Sequence, residues 1–191
     1  MKGLLIKTLM IFPKIIDKIG KINTMHQLKS LKNSMIHHSF RIGKNTFLLL
    51  SKEARITIKE GVVMKDNNAI RIRKNGELIL GKNVNISYYV SINCIEKIEI
   101  GDDTGIAEGC KFYDHDHAFV TEPTYEWKQN EFNTAPIIIG KNVKIYSEVT
   151  ILKGVTIGDN CIIGAKCLIN RNIPANSIIM SKVQNLKIPL M

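Results

Sequence analysis

Isoleucine occupies positions 139, 145, 151, 157, 163 and 169, six residues apart each time. A helix repeats every 3.6 residues and a plain strand every two, so neither produces a strict period of six. The period suits a coil of short flat strands, each delivering one aliphatic side chain to a central axis. The fifth place of each hexad is small or β-branched: Val143, Val149, Val155, Cys161 and Cys167. A second inward position at a tight corner requires such residues. Gly and Asn recur in the second to fourth places, where the chain turns and φ > 0 has to be tolerated. Repeated hexapeptides are a signature of the parallel β-helix, so the chain is predicted to be all-β.

The same period exists upstream, with an interruption. Leu80, Ile86 and Ile92 are in register, and Ile100, Ile106 and Phe112 resume it after a shift of two residues. The slip falls in 93–99, where a bulge or corner insertion would absorb it. A longer break runs from Ala118 to Pro136. Three hexads make one triangular coil, which predicts four successive coils at 80–97, 100–117, 139–156 and 157–174. In 42–79, Ile56, Ile58, Ile70, Ile72 and Leu78 alternate with polar residues and predict one or two less regular coils. Each coil buries its aliphatic stack against its neighbours.

Charge divides the chain. The 191 residues carry a formal net charge of +10, yet the first fifty hold nine Lys or Arg against the single Asp17. A basic N-terminal segment therefore precedes a nearly neutral β-helix. The organisation expected is a basic amphipathic helical segment at 1–41, a β-helix at 42–179 with a loop extruded at 118–136, and a tail at 180–191. Aromatic residues are few and not interleaved with the basic ones, which argues against a nucleic-acid partner. Cys110, Cys161 and Cys167 fall at the small inward position and are expected to act as apolar residues in a reducing compartment.

Within the basic segment, residues 2–36 read as helical. Leu5, Leu9, Phe12, Ile16 and Ile19 have helical spacing, with lysines distributed around them and Pro13 dividing the helix. Lysine interrupts the apolar runs too often for a bilayer span, which needs about 20 residues. A small-residue cleavage site of the signal-peptide kind is lacking. Two readings stand: a cap packed on the first coil or a neighbouring subunit, and an interfacial helix resting on anionic inner-leaflet lipid.

The conspicuous chemistry falls at one junction, Phe112-Tyr113-Asp114-His115-Asp116-His117, followed directly by the longest irregular segment, which contains Tyr125 and Trp127. An extended chain there sends His115 and His117 to the same side. Three readings compete. His-x-His with two Asp supplies part of a metal site, but no third histidine is evident in the repeats. Asp and His also hydrogen-bond corners and loops without further purpose. The third reading is a general base, for which an imidazole's ordinary pKa of about 6.5 is suited.

The hexads, Tyr113-Asp-His-Asp-His117 with its loop, Pro136-Ile-Ile-Ile-Gly140, Gly154-Val-Thr-Ile-Gly-Asp159 and Ile173-Pro-Ala-Asn-Ser177 closely resemble the left-handed β-helix acetyltransferases. The branch is that of maltose and galactoside O-acetyltransferases and many capsule and lipopolysaccharide O-acetyltransferases, and the likeness covers about 56–179. It implies a left-handed coil, a cytoplasmic homotrimer with sites between adjacent β-helices, and acetyl-CoA lying along each cleft, with no metal. It implies that His117 is the base that deprotonates a sugar hydroxyl, with Asp114 or Asp116 orienting the ring or holding the acceptor. Tyr113, Asn93, His115 and Trp127 would line the acceptor subsite. Ser147 falls where a backbone N–H serves the oxyanion, and Ala165, Asn170 and Arg171 where pantetheine and the nucleotide are held.

Two departures stand out. Lys144-Ile145-Tyr146 replaces a usual Trp-Ile-Gly, with Tyr146 or Trp127 as substitutes for the lost aromatic wall. Met180-Ser-Lys-Val-Gln-Asn185 replaces a usual Ala-Gly-Asn-Pro-Ala-Lys, leaving Lys182 or Lys187 to meet the CoA phosphates. The expected activity is acetyl-CoA-dependent O-acetylation of a surface polysaccharide or its precursor. An amino-sugar N-acetyltransferase and a non-catalytic β-helical scaffold are the alternatives.

Overall fold

A computed structural model describes residues 24–181. They form a left-handed parallel β-helix of triangular cross-section behind one N-terminal helix. Three parallel sheets of six, seven and six strands make its faces, here called the first, second and third. Six full coils stack along the axis, at 33–50, 55–72, 77–94, 97–113, 137–152 and 156–169, and the strand Ile178–Ile179 adds one further rung. Every isoleucine of the hexad series is buried, from Ile139 at 1% exposed to Ile169 at 4%, as are Val143, Val149, Val155, Cys161 and Cys167. Each such burial is worth about 1.5–3 kcal/mol, so the stack outweighs any single polar contact in holding the coils together.

The corner between the first and second faces shows why Asn recurs. Asn83, Asn142, Asn160 and Asn176 all lie at φ between 53° and 60°, the left-handed region that Asn enters most readily after Gly. Their side chains then run along the axis as a ladder: the Asn142 amide donates to Asn160 Oδ1 (3.0 Å), and the Asn160 amide to Asn176 Oδ1 (3.2 Å).

The strict period of six appears only where coils are shortest. Ile138 pairs with Thr156 and Lys144 with Ile162, a repeat of 18 residues. Asn33 pairs with Arg55 and Arg55 with Glu77, a repeat of 22. Lys97 pairs with Glu77, a repeat of 20 that places the expected two-residue insertion at the corner formed by Ile95 and Glu96. Residues 33–79 thus build two complete coils and open a third. The expected start of the β-helix at residue 42 is nine residues late, because Asn33–Ile36 is already a strand paired with Arg55–Ile58.

That strand also corrects the helical reading of 2–36. Within the described residues the helix covers 24–30 only, and Leu28 is buried at the N-terminal end of the core. The remainder of that reading, residues 2–23, lies outside the described residues, as do Lys182 and Lys187. None of the helices among the described residues is long and apolar enough to cross a membrane. The four cysteines are free and buried. Burial pushes the Cys110 thiol up to about 11, and burial followed by the Asp114 carboxylate raises that of Cys94 further. Neither is a nucleophile near neutral pH.

Candidate active site

The segment read as an irregular loop is an ordered β-hairpin. His115–Val120 runs out from the fourth coil and Glu126–Thr134 returns antiparallel to it, before Ile137–Ile139 resumes the helix. The hairpin stands on the edge between the third and first faces. Its root is held by Asp114, which is fully buried. The Asp114 carboxylate accepts the backbone N–H of Ile95 (2.9 Å) and of Glu96 (2.8 Å), the two residues of the corner insertion. It also bonds His115 Nδ1 at 2.8 Å. Main-chain bonds tie the same point to both sides, from Asp114 N–H to the Asn93 carbonyl and from Ala135 N–H to the Asp114 carbonyl.

A register shift between His117 and Ala118 breaks the hairpin: His117 faces Phe132, whereas Ala118 faces Lys128. Bulges of this sort re-aim a side chain near a site. Here the imidazole of His117 lies against two rings, Phe132 at 4.7 Å and Trp127 at 5.0 Å between centroids. His115 meets the same Phe132 edge-on at 5.3 Å, so both histidines do share one side of the hairpin. Phe132 is flanked in turn by Lys74 Nζ at 5.5 Å and the Arg73 guanidinium at 6.0 Å. His117 Nδ1 is buried and has no hydrogen-bond partner among the described residues. A buried polar atom left unpaired costs about 1–3 kcal/mol and needs a reason.

Neither aspartate orients His117. Asp114 is committed to the corner and to His115, and Asp116 is exposed and reaches Lys153 at 3.4 Å. Asn93 and Tyr113 point outward on the third face as register neighbours, beside the hairpin root. Ser147 and Ala165 stack one coil apart at the opposite edge, between the second and third faces, where Lys166 N–H bonds the Ser147 carbonyl. Asn170 and Arg171 leave the third face of the sixth coil on the hairpin's edge and are exposed. Strands of this face are at most four residues long, so the two edges stand roughly 10–13 Å apart. One chain therefore pairs His117 with Trp127 on the hairpin and Tyr113 with Asn93 beside its root, and leaves Ser147 and Ala165 at the opposite edge.

Beside Ser147, an open groove of about 340 Å³ runs along the second face, with Gly105, Ala107, Lys144 and Tyr146 in its walls. The exposed Tyr146 ring supplies an aromatic wall at the place of the missing Trp-Ile-Gly. Phe132 and Arg71, which the sequence reading passed over, belong to the other side, Phe132 on the hairpin and Arg71 beside Asn93 on the third face. The Arg71 guanidinium donates to Asn93 Oδ1 at 3.4 Å. Alternation in Ile70-Arg71-Ile72, with both isoleucines inward, was the signal that could have found Arg71. Among the described residues no group of three or more His, Cys, Asp or Glu could hold a metal ion.

Residues 136–171 match the bacterial transferase hexapeptide family (six repeats). Over 110 residues the chain is 30% identical to a putative lipopolysaccharide biosynthesis O-acetyl transferase, WbbJ, of Escherichia coli K12. That alignment takes in 54% of the chain and 56% of the relative, so the chain spans about half the length of this curated protein. Among solved structures, it is similar to AntD, an N-acyltransferase from Bacillus cereus. One point mutant of AntD, in complex with dTDP-4-amino-4,6-dideoxyglucose and coenzyme A, superposes with a TM-score of 0.67 at 20% identity, covering 82% of this chain and 84% of that one. A second point mutant, with dTDP and coenzyme A, gives 0.57 at 24%, covering 78% and 87%. These two likenesses establish the coil. With the matched repeats at 136–171, they show that the chain has the left-handed β-helix fold and carries hexapeptide repeats of the bacterial transferase type.

Proposed function

We propose that the protein transfers an acetyl group from acetyl-CoA to a hydroxyl of a surface polysaccharide or its precursor, with His117 as general base. The observation that carries this reading is the buried, unpartnered Nδ1 of His117, in a ring clamped by Phe132 and Trp127. A structural histidine satisfies its buried nitrogen; one kept for chemistry leaves hydrogen bonds to be completed by a substrate or a second chain. In the reaction, His117 takes the hydroxyl proton as the oxygen attacks the thioester carbonyl. A backbone N–H near Ser147 supports the oxyanion. Collapse breaks the C–S bond and forms the ester, and the proton passes to the departing thiolate.

Separation of the two edges supports a homotrimer. A base has to lie within hydrogen-bond reach of its proton, about 3 Å, and the roughly 10–13 Å between edges of one chain is too far. The Ser147–Ala165 edge of a second copy would complete the site, with acetyl-CoA along the groove beside Tyr146. Titration calorimetry with acetyl-CoA should give saturable binding, and incubation with bacterial oligosaccharides should yield a product labile to mild alkali. A folded protein that binds no acetyl-CoA would favour the scaffold. An alkali-stable amide would move the assignment to amino sugars.

The five lysines and single aspartate among residues 1–23 support a peripheral position at the cytoplasmic face of the membrane. A chain lacking 1–23, which spares Leu28 and the first strand, should no longer sediment with anionic liposomes. Unchanged sedimentation would rule the contact out.

A further inference from the structure

Among the described residues Arg71 is a charge without a counter-charge. Its side chain leaves the third face in the column Leu49, Arg71, Asn93, Tyr113, which leads to the hairpin root. One guanidinium nitrogen, Nη1, donates to Ser91 Oγ at 3.2 Å and to Asn93 Oδ1 at 3.4 Å. The Asn93 amide bonds the same Ser91 hydroxyl at 3.1 Å. The guanidinium carbon Cζ lies over the Phe47 ring, 5.1 Å from its centroid. Arg71 is half-buried, and among the described residues no carboxylate lies within ion-pair distance of it. A guanidinium carries five donors, and the bonds described here come from a single nitrogen. Partial desolvation beside neutral acceptors alone is a cost, which an arriving anion would offset. The ring contact and the two bonds fix the fork in advance, so little side-chain entropy is lost when it closes on two oxygens.

We propose that Arg71 is the anion-recognition residue of the acceptor subsite, and that the acceptor carries a carboxylate or phosphate on the saccharide beside the acetylated hydroxyl. The inference rests on the acetyl-transfer reading of the same site and deepens it. Carboxylate and phosphate share the geometry that a guanidinium fork takes with two parallel bonds. Asn93 then has two roles, holding Arg71 through Oδ1 and facing the sugar next to Tyr113. Arg73 and Lys74, both close to the Phe132 ring, extend positive potential toward His117.

The acceptor-side measurement is made without acetyl-CoA, which enters only as a control. Ligand-observed NMR titrations of the full chain would use three probes: methyl β-glucuronoside, glucose 1-phosphate and methyl β-glucoside. One anionic probe should bind at least about tenfold tighter than the neutral glucoside, the scale of one charge-assisted pair. Which anion is preferred tells an acidic sugar from a phosphorylated one. Arg71→Gln should erase the preference, and Arg71→Lys should keep part of it, as charge without the fork. Both variants should melt with the parent and titrate acetyl-CoA with the parent's affinity, which separates lost recognition from lost folding. No preference for either anion in the parent, or a preference that survives Arg71→Gln, overturns the proposal. Anion preference in a protein that binds no acetyl-CoA would overturn the transferase reading and leave the anion subsite standing.

Discussion

Replacing His117 with Ala is expected to lower acetyl transfer by about 10²–10⁴, the range a positioned general base supplies. Acetyl-CoA affinity should hold, because no residue of the hairpin is in the walls of the groove beside Tyr146. Stability should hold or rise. The imidazole is packed on Phe132 and Trp127, but its buried Nδ1 has no partner among the described residues, and removing an orphaned polar atom recovers its desolvation cost. Lost turnover with retained melting temperature and retained acetyl-CoA binding is therefore the expected pattern. A variant that turns over at the parent rate ends the assignment; one that loses turnover only by unfolding makes His117 structural. The same variant tests the assembly. His117→Ala chains co-refolded with Ala165→Trp chains should regain activity that neither has alone, since mixed trimers pair an intact hairpin edge with an intact Ala165 edge. No recovery in mixed trimers of demonstrated composition would mean that each chain carries its site unaided.

The C-terminal coils were legible because their corners hold no spare residues. From Ile139 to Ile169 the inward stack advances by six each time, and all six isoleucines are buried. The N-terminal coils hide the same architecture behind longer corners, such as 51–54 and 73–76, which stretch the repeat to 22 residues. Asn33–Ile36 escaped notice because four residues of alternating polarity carry little signal beside a lysine-rich helical pattern. The hairpin strand Glu126–Thr134 was read as irregular for a different reason. It is polar and mostly exposed, with no buried face to impose alternation, so main-chain pairing with His115–Val120 sets its register. At the site, the motif located both histidines and the aromatic partner Trp127. It could not divide the labour of the carboxylates, because the groups that claim Asp114 are backbone N–H groups 18 and 19 residues upstream.

Asp114→Asn should destabilise the protein by about 3 kcal/mol, and Asp114→Ala by at least as much. The carboxylate is fully buried and serves three donors, Ile95 N–H, Glu96 N–H and His115 Nδ1. A hydrogen bond to a charged group is worth about 1.5–3 kcal/mol, and each buried N–H left unpaired adds about 1–3 kcal/mol, so the loss exceeds one ordinary bond. Asn keeps one oxygen but turns an amide N–H₂ toward donors, which cannot accept it. At about 2–4 °C per kcal/mol for a chain of this size, the melting temperature should fall by roughly 6–12 °C. Asp116→Ala is the contrast. That carboxylate is 59% exposed and paired with Lys153 at 3.4 Å, a surface pair worth about 0–1 kcal/mol. Hydrogen exchange should place the damage, with Ile95, Glu96 and the hairpin root losing protection while the hexads from Ile139 onward keep theirs, because coils couple only to their neighbours. Activity should fall with the hairpin's order, since Asp114 fixes the platform on which His117 stands without touching its ring. A folded Asp114→Asn protein with parental stability and the rate defect of His117→Ala would reverse this division, making Asp114 part of the chemistry and leaving the corner to hold itself.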